Sequence, residues 1–163
     1  VYLSSVYLLF TIGNKIYINS VFKNSFEKAN ISYERFRAQP TILNNFLWYG
    51  IAETKSDYKL AFYSILDSKS TTNTFITIPK DTTILDSKNT WFSDEYYLIE
   101  ENKNTDDIIY NDLRYVMISN DSVNSVMNFK IEKNGPRLET KPNRNFNPSS
   151  DFFSAFWSRI KGI

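Results

Sequence analysis

Cysteine and histidine are both missing from the 163 residues. Without cysteine there is no disulfide framework, no thiolate zinc site and no thiol nucleophile. Without histidine the commonest metal ligand and the usual general base near neutral pH are gone. A Ser-His-Asp relay or an HExxH zinc site cannot be assembled from this chain. Catalysis would have to rest on paired carboxylates, a lysine or tyrosine base, or a metal held by oxygen alone. Glycine is scarce, at four scattered residues, so there is no glycine-rich phosphate loop. Neither sign of charge dominates, because 19 Lys and Arg face 18 Asp and Glu. That balance, with no dense basic run, argues against a nucleic-acid partner.

Aromatic residues are what the chain has in abundance: 13 Phe, 11 Tyr and 3 Trp, 17% of the total. Such side chains fill a core from few positions, and they also suit an interface. With 42% hydrophobic and 23% charged residues the composition is that of a globular protein. The length supports one good core.

The stretch "VYLSSVYLLFTIGN", Val1 to Asn14, carries no charge. A secretory signal would open basic and end in a small-residue cleavage site, and neither is present. A full membrane span needs about 20 apolar residues, so this stretch is too short for one. It matches the last part of a membrane-spanning helix, and equally a buried helix of a soluble domain. The following "NKIYINSVFKNSFEKANI" places Ile18, Val21, Phe22 and Phe26 at helical spacing. Lys15, Lys23 and Lys28 fall elsewhere on the wheel. Residues 1–29 are therefore expected to be the end of a membrane-spanning helix continuing into an amphipathic one, with Asn30 as its stop. The basic flank favours the cytoplasmic side.

From Ile31 the period changes to two, which predicts strands. "NNFLWYGIAE" and "YKLAFYSILD" flank "TKSD" and read as a hairpin that is apolar on both faces. Gly50, among large neighbours, signals a close backbone approach or a bulge. "TFITIPK", "EYYLIEE", "DIIYNDLRYVMI" and "SVMNFKIEK" supply more strands, and "DTTILDSKNTWF" reads as a short helix or helical turn. We expect an α+β fold, with a mostly antiparallel sheet of about six to eight strands over residues 30–133. Residues 134–150, with three Pro, read as a linker, and 151–163 as an amphipathic C-terminal helix. Its stripe is Phe152, Phe153, Phe156, Trp157 and Ile160. That stripe suits docking on the rest of the protein or lying in a membrane interface.

No catalytic or metal-ligating set emerges. A binding surface on the sheet would comprise Trp48, Tyr49, Trp91, Asp112 and Arg114. Asp112 and Arg114, two apart on a strand, share a face with Tyr110 and also read as a plain ion pair. Asp86, Asp94 and Glu95 near Trp91 lack EF-hand spacing. Glu100, Glu101, Asp106 and Asp107 flank a hairpin turn and read as a solvated rim. Phe22, Phe26, Phe156 and Trp157 are the candidates for helix docking or membrane contact.

Several stretches together resemble a known family. "NKIYINSVFKNSFEKANISYERFRAQPTILNNFLWYGIAE", "WFSDEYYLIEE", "DLRY" and the closing "FWSRIKGI" resemble the C-terminal region of bacterial membrane-bound metal-dependent hydrolases, the YdjM-like inner-membrane proteins. The likeness covers nearly the whole chain, and "PTILNNFLWYGIAE" and "WFSDEYY" are its most specific parts. It implies that transmembrane helices come first, with the histidines and acidic residues for a divalent metal on them. None of those ligands maps onto this chain, so the resemblance implies no cofactor here. It implies a non-catalytic accessory domain on the cytoplasmic side of a bacterial inner membrane. Its partners would be the membrane and the transmembrane part of its own parent chain. A ligand-binding or protein-interaction module at the membrane surface is the alternative.

Overall fold

A computed structural model gives the fold and describes residues 2–42, 44–80, 93–102, 107–117, 124–134, 137–143 and 150–163. The expected helical turn over 81–92, with Asp86 and Trp91, lies outside the described residues, as does Asp106. The architecture is α+β: a long N-terminal helix, two four-stranded antiparallel sheets and a short C-terminal helix. The chain divides into two compact units, Val1–Lys80 with Phe156–Ile163, and Asp81–Ala155. The expected antiparallel strands are present, divided among the described residues into two four-stranded sheets and one two-stranded ladder. The first sheet stops at the strand closed by Pro79, whose ring nitrogen has no hydrogen to extend the ladder.

In the first unit α1 spans Tyr2–Lys28. It is followed by β1 (Arg35–Pro40), β2 (Leu47–Glu53), β3 (Asp57–Ser64) and β4 (Ile76–Pro79), paired in that order. The helix ends as Asn30 predicts. Asn30 takes a left-handed φ of 53°, and Ile31 N donates to Phe26 O at 2.9 Å across the terminus. That is a Schellman closure, and Ile31 packs on the same core as Phe26. The β2–β3 turn falls on Thr54–Ser56, where Thr54 Oγ1 accepts from Asp57 N at 3.1 Å.

The core of this unit is the face of β1–β3 under the second half of α1. Ile18, Val21, Phe22 and Phe26 bury against Ala38, Trp48, Ala52, Ala61 and Tyr63. Phe26 also meets Tyr33 and Phe36 edge-on, with centroids 5.5 and 5.8 Å away. Gly50 makes the close approach that its sequence context predicts. A Cβ there would lie 2.5 Å from the Phe22 ring. All seven residues of β2 are buried, so both faces of this strand are covered.

The last residues return to the first unit. The C-terminal helix α2 (Ser150–Ile160) ends with Gly162 at φ 78°, and Ile163 N bonds Ser158 O at 3.2 Å. Ser64 Oγ donates to Ile160 O at 2.5 Å, and Arg159 grips Asp67 at 2.6 and 2.8 Å. Ile160 is buried and Phe156 half-buried, while Phe153 and Trp157 are exposed. The aromatic stripe is thus split between a docked side and an open side.

The second unit holds β5 (Tyr97–Asn102), β6 (Asp107–Asp112), β9 (Asn128–Asn134) and β10 (Arg137–Pro142), in the order β10-β9-β6-β5. A two-stranded ladder, β7 (Val116–Met117) with β8 (Asn124–Ser125), lies between β6 and β9 in sequence. Strand β10 corrects the reading of 134–150 as linker. Its backbone pairs with β9 from Arg137 to Pro142, at a sheet edge where a terminal proline is tolerated.

Replacing Gly50 by Ala drives a methyl into the Phe22 ring. We expect a loss of about 1–3 kcal/mol in urea unfolding. The double variant Gly50→Ala with Phe22→Leu should lose less than the two single changes added together. Strict additivity would mean that the ring does not lie on this backbone.

Candidate functional site

Chemistry-bearing groups gather in three places. The first is the Asp112–Arg114 pair of the second unit. Asp112 does not stay in a strand shared with Arg114, as the spacing suggested. Its carboxylate accepts from Arg114 N at 2.9 Å, which ends β6 and starts a 3-10 turn over Leu113–Tyr115. The Arg114 guanidinium then closes on the same carboxylate at 3.0, 3.2 and 2.6 Å. Asp112 is fully buried, and its backbone is held by Met127 O and Ser125 Oγ at 3.0 and 2.6 Å. That bond to Asp112, which outweighs burial, raises the Arg114 pKa above its ordinary value. Nearby, Tyr110 shares a 2.5 Å hydrogen bond with Ser93, and burial pushes its phenol up to about 12. Asp112 with Arg114, and Tyr110 with Ser93, satisfy one another.

The second place is Glu53, at the end of β2. It accepts hydrogen bonds from Arg35 and, at 2.7 Å, from Lys80. Burial alone would raise this carboxyl, but the bonds and charges of Lys80 and Arg35 outweigh it and hold it below its ordinary value of 4.5. It too is a structural clasp, tying β1 and the end of β4 to β2. An open cleft of about 390 Å³ near the chain terminus is lined by Asp67, Lys69, Thr72 and Arg159 among others. Its Asp67 and Arg159 are already bound to each other. Among the described residues no three carboxylates come together as a cation site.

The third place is α1 itself. Ten large apolar or aromatic side chains between Tyr2 and Tyr17 stand 45% to 89% exposed. At about 100° per residue they cover roughly 260° of the helix circumference. The strip they leave holds Ser4, Thr11 and Lys15 and prolongs the docking stripe of Ile18, Val21, Phe22 and Phe26. The helix is thus apolar nearly all round until Tyr17 and one-sided after it, as the sequence predicts. No described helix is long and apolar enough to cross a membrane.

The helix leaves the sheet at a defined place. Lys15 Nζ donates to Ala38 O and lies 5.7 Å from the Trp48 ring centroid. Burial, and then the charge of Arg37, holds its pKa below the usual lysine value. Asn14 Nδ2 donates to Asn45 O at 2.8 Å, and Tyr17 and Tyr63 share a hydrogen bond of 3.1 Å.

The residues expected to form a binding surface fall in separate places. Trp48 and Tyr49 are buried on opposite faces of β2 in the first unit, and Asp112 and Arg114 belong to the second. Trp48 Nε1 donates to Asn45 O at 2.9 Å, and the Tyr49 hydroxyl accepts from Gln39. Phe22 and Phe26 are core, and Trp157 is 59% exposed. The sequence reading missed Asn45, whose carbonyl accepts from both Asn14 and Trp48. An asparagine pair in a turn gives no hint of a partner 31 residues away. Comparison with protein-family models, curated proteins and solved structures finds no match.

Two outcomes follow from the polar clasps. Asp112→Ala removes the cap and strands the guanidinium, and should lower stability by about 2–4 kcal/mol in chemical denaturation. A change within error would show that Arg114 finds water at no cost. Glu53 has a depressed folded pKa, so its contribution is full above its ordinary value and is lost as pH falls through the folded value. Glu53→Gln should therefore be less stable than wild type at neutral pH, the gap closing below pH 4.5. A gap that stays constant across this range would exclude the clasp.

Proposed function

We propose that this chain is a non-catalytic accessory module held at a membrane by the apolar half of α1. The observation that carries the reading is the change of character at Tyr17. Ahead of it the helix exposes apolar side chains on most of its surface. Beyond it the same helix is locked to a sheet. Water disfavours the first half, at about 25 cal/mol per Å² of apolar surface, and a bilayer removes that penalty. The segment from Tyr2 to Gly13 is about 18 Å long at 1.5 Å per residue, which reaches past the midplane of a hydrocarbon core about 30 Å thick. Lys15, at the point of exit, sits where a cation meets head groups, and the basic flank favours the cytoplasmic face.

The family resemblance extends this reading. In it the module is the soluble tail of a bacterial inner-membrane protein of the metal-dependent hydrolase kind, capping or regulating a catalytic membrane part outside this chain. Satisfied ion pairs at Asp112 and Glu53, and the absence of histidine, support a role without chemistry of its own.

Vesicle flotation tests the anchor. The full chain should float with phospholipid vesicles, and the double variant Leu8→Asp, Phe10→Asp should lose about tenfold or more of that binding. Its urea midpoint should hold, because both side chains are exposed ahead of the docked part of the helix. A wild-type chain that stays with the soluble fraction refutes the anchor. The parent is tested by the coding sequence upstream, where apolar spans bearing His and acidic residues are expected.

A further inference from the structure

The anchor does not leave the sheet alone. Residues 41–42 and 44–46, between β1 and β2, lie alongside it. Asn45 Nδ2 donates to the Tyr7 hydroxyl at 2.8 Å, while Asn45 O accepts from Asn14 at 2.8 Å. Seven residues of helix separate those two contacts, about 10 Å along the axis. The segment is pinned from within, since Asn44 Oδ1 accepts from Phe46 N and Leu47 N at 3.0 and 2.7 Å. It carries no charge, and it exposes Ile42 at 42% and Phe46 at 44%. A helix that enters a bilayer as deep as Tyr7 must bring these two side chains to the head-group layer.

The same end of the sheet carries more of this surface. Ile65 N donates to Phe46 O at 2.9 Å, which sets the β3 terminus beside that segment. Leu66 there is 53% exposed. The last turn of α2 is fastened to that terminus through Ser64 and Asp67, and it exposes Trp157 with Lys161 5.8 Å from its ring. Lys15, Lys69, Arg159 and Lys161 lie at this end with Asp67, four cations against one side-chain carboxylate among the described residues. The other four carboxylates of the unit, Glu27, Glu34, Glu53 and Asp57, lie towards the opposite end.

We propose that Ile42, Phe46, Leu66 and Trp157 form a second membrane contact, a collar seated in the head-group layer of an anionic phospholipid bilayer around the base of α1. The collar rests on the anchor reading. It fixes how the first unit stands, with the Leu47 and Ser64 ends of β2 and β3 against the lipid and the Thr54–Ser56 turn facing away. Aromatic and aliphatic side chains with flanking lysines suit that layer, and the net positive charge suits anionic lipid.

The lack of cysteine gives a clean test. Full-length single variants Leu8→Cys, Ile42→Cys, Phe46→Cys, Leu66→Cys and Lys55→Cys, each carrying an environment-sensitive fluorophore, are mixed with phosphatidylglycerol-phosphatidylcholine vesicles. Labels at Leu8, Ile42, Phe46 and Leu66 should blue-shift and resist an aqueous quencher, while the Lys55 label should not. Lys161→Gln should weaken binding about fivefold on anionic vesicles and little on pure phosphatidylcholine. If Leu8 is protected but Ile42, Phe46 and Leu66 behave like Lys55, the collar is refuted and the anchor stands. If Leu8 is not protected either, the anchor itself fails. Protection without vesicles, in step with a dimer by light scattering, would overturn the collar in favour of a second copy of this chain.

Discussion

The contact between the Phe22 ring and the bare backbone of Gly50 sets the geometry of the first unit. A helix lies close to a sheet only where the strand beneath it offers no side chain. Gly50 is the gap, and the Phe22 ring fills it. Ile18 and Phe26, one turn to either side, then settle over the same sheet face. The direction of α1 is fixed by that line of contacts. From Asn14 beside Asn45, through Phe22 over Gly50, to Phe26 beside Phe36, the helix runs along β2 in the direction of the strand. Its first turns therefore project beyond the start of β2.

A rigid joint has a functional consequence that a flexible tether would lack. The apolar segment is one continuous helix with the docked one. The helix is continuous through Tyr17, so the orientation of the sheet is transmitted to the exposed apolar end. Asn14 Nδ2, Lys15 Nζ and the Tyr17 hydroxyl add polar contacts where that end leaves the sheet, and their partners offset the cost of burying them.

Much of this was legible in the residues. Gly50 between Tyr49 and Ile51 announced a close approach or a bulge, and the structure has the close approach. Asn30 announced the helix stop, and the period-two runs announced the strands. What was not legible depended on pairing. Alternation says which side chains share a face, but not which strand lies beside which. Hence one sheet was expected where the described residues form two four-stranded sheets and a two-stranded ladder. The Pro- and Asn-rich stretch after Asn134 concealed β10, since an edge strand asks little of side chains. Arg114 looked like a strand residue, yet the Asp112 carboxylate accepts from its backbone N–H and ends the strand at Asp112. The placement of Asn45 beside Tyr7 and the grip of Arg159 on Asp67 join residues 38 and 92 apart, and no local pattern encodes them.

The distribution of charge in the first unit ties these threads together. Four of its five carboxylates lie towards the end from which the apolar helix does not emerge, and the fifth, Asp67, is held by Arg159. Glu53 and Asp57 stay there with their cation partners Arg35, Lys80 and Lys59, and the arrangement also suits a protein facing an anionic surface. Each unpaired carboxylate near that surface would be repelled within a Debye length of about 10 Å. The one carboxylate left near the emerging helix is bonded to the helix that brings Trp157 and Lys161 to the same end. The ion pair thus holds Trp157 and Lys161 at that end and neutralises the Asp67 carboxylate.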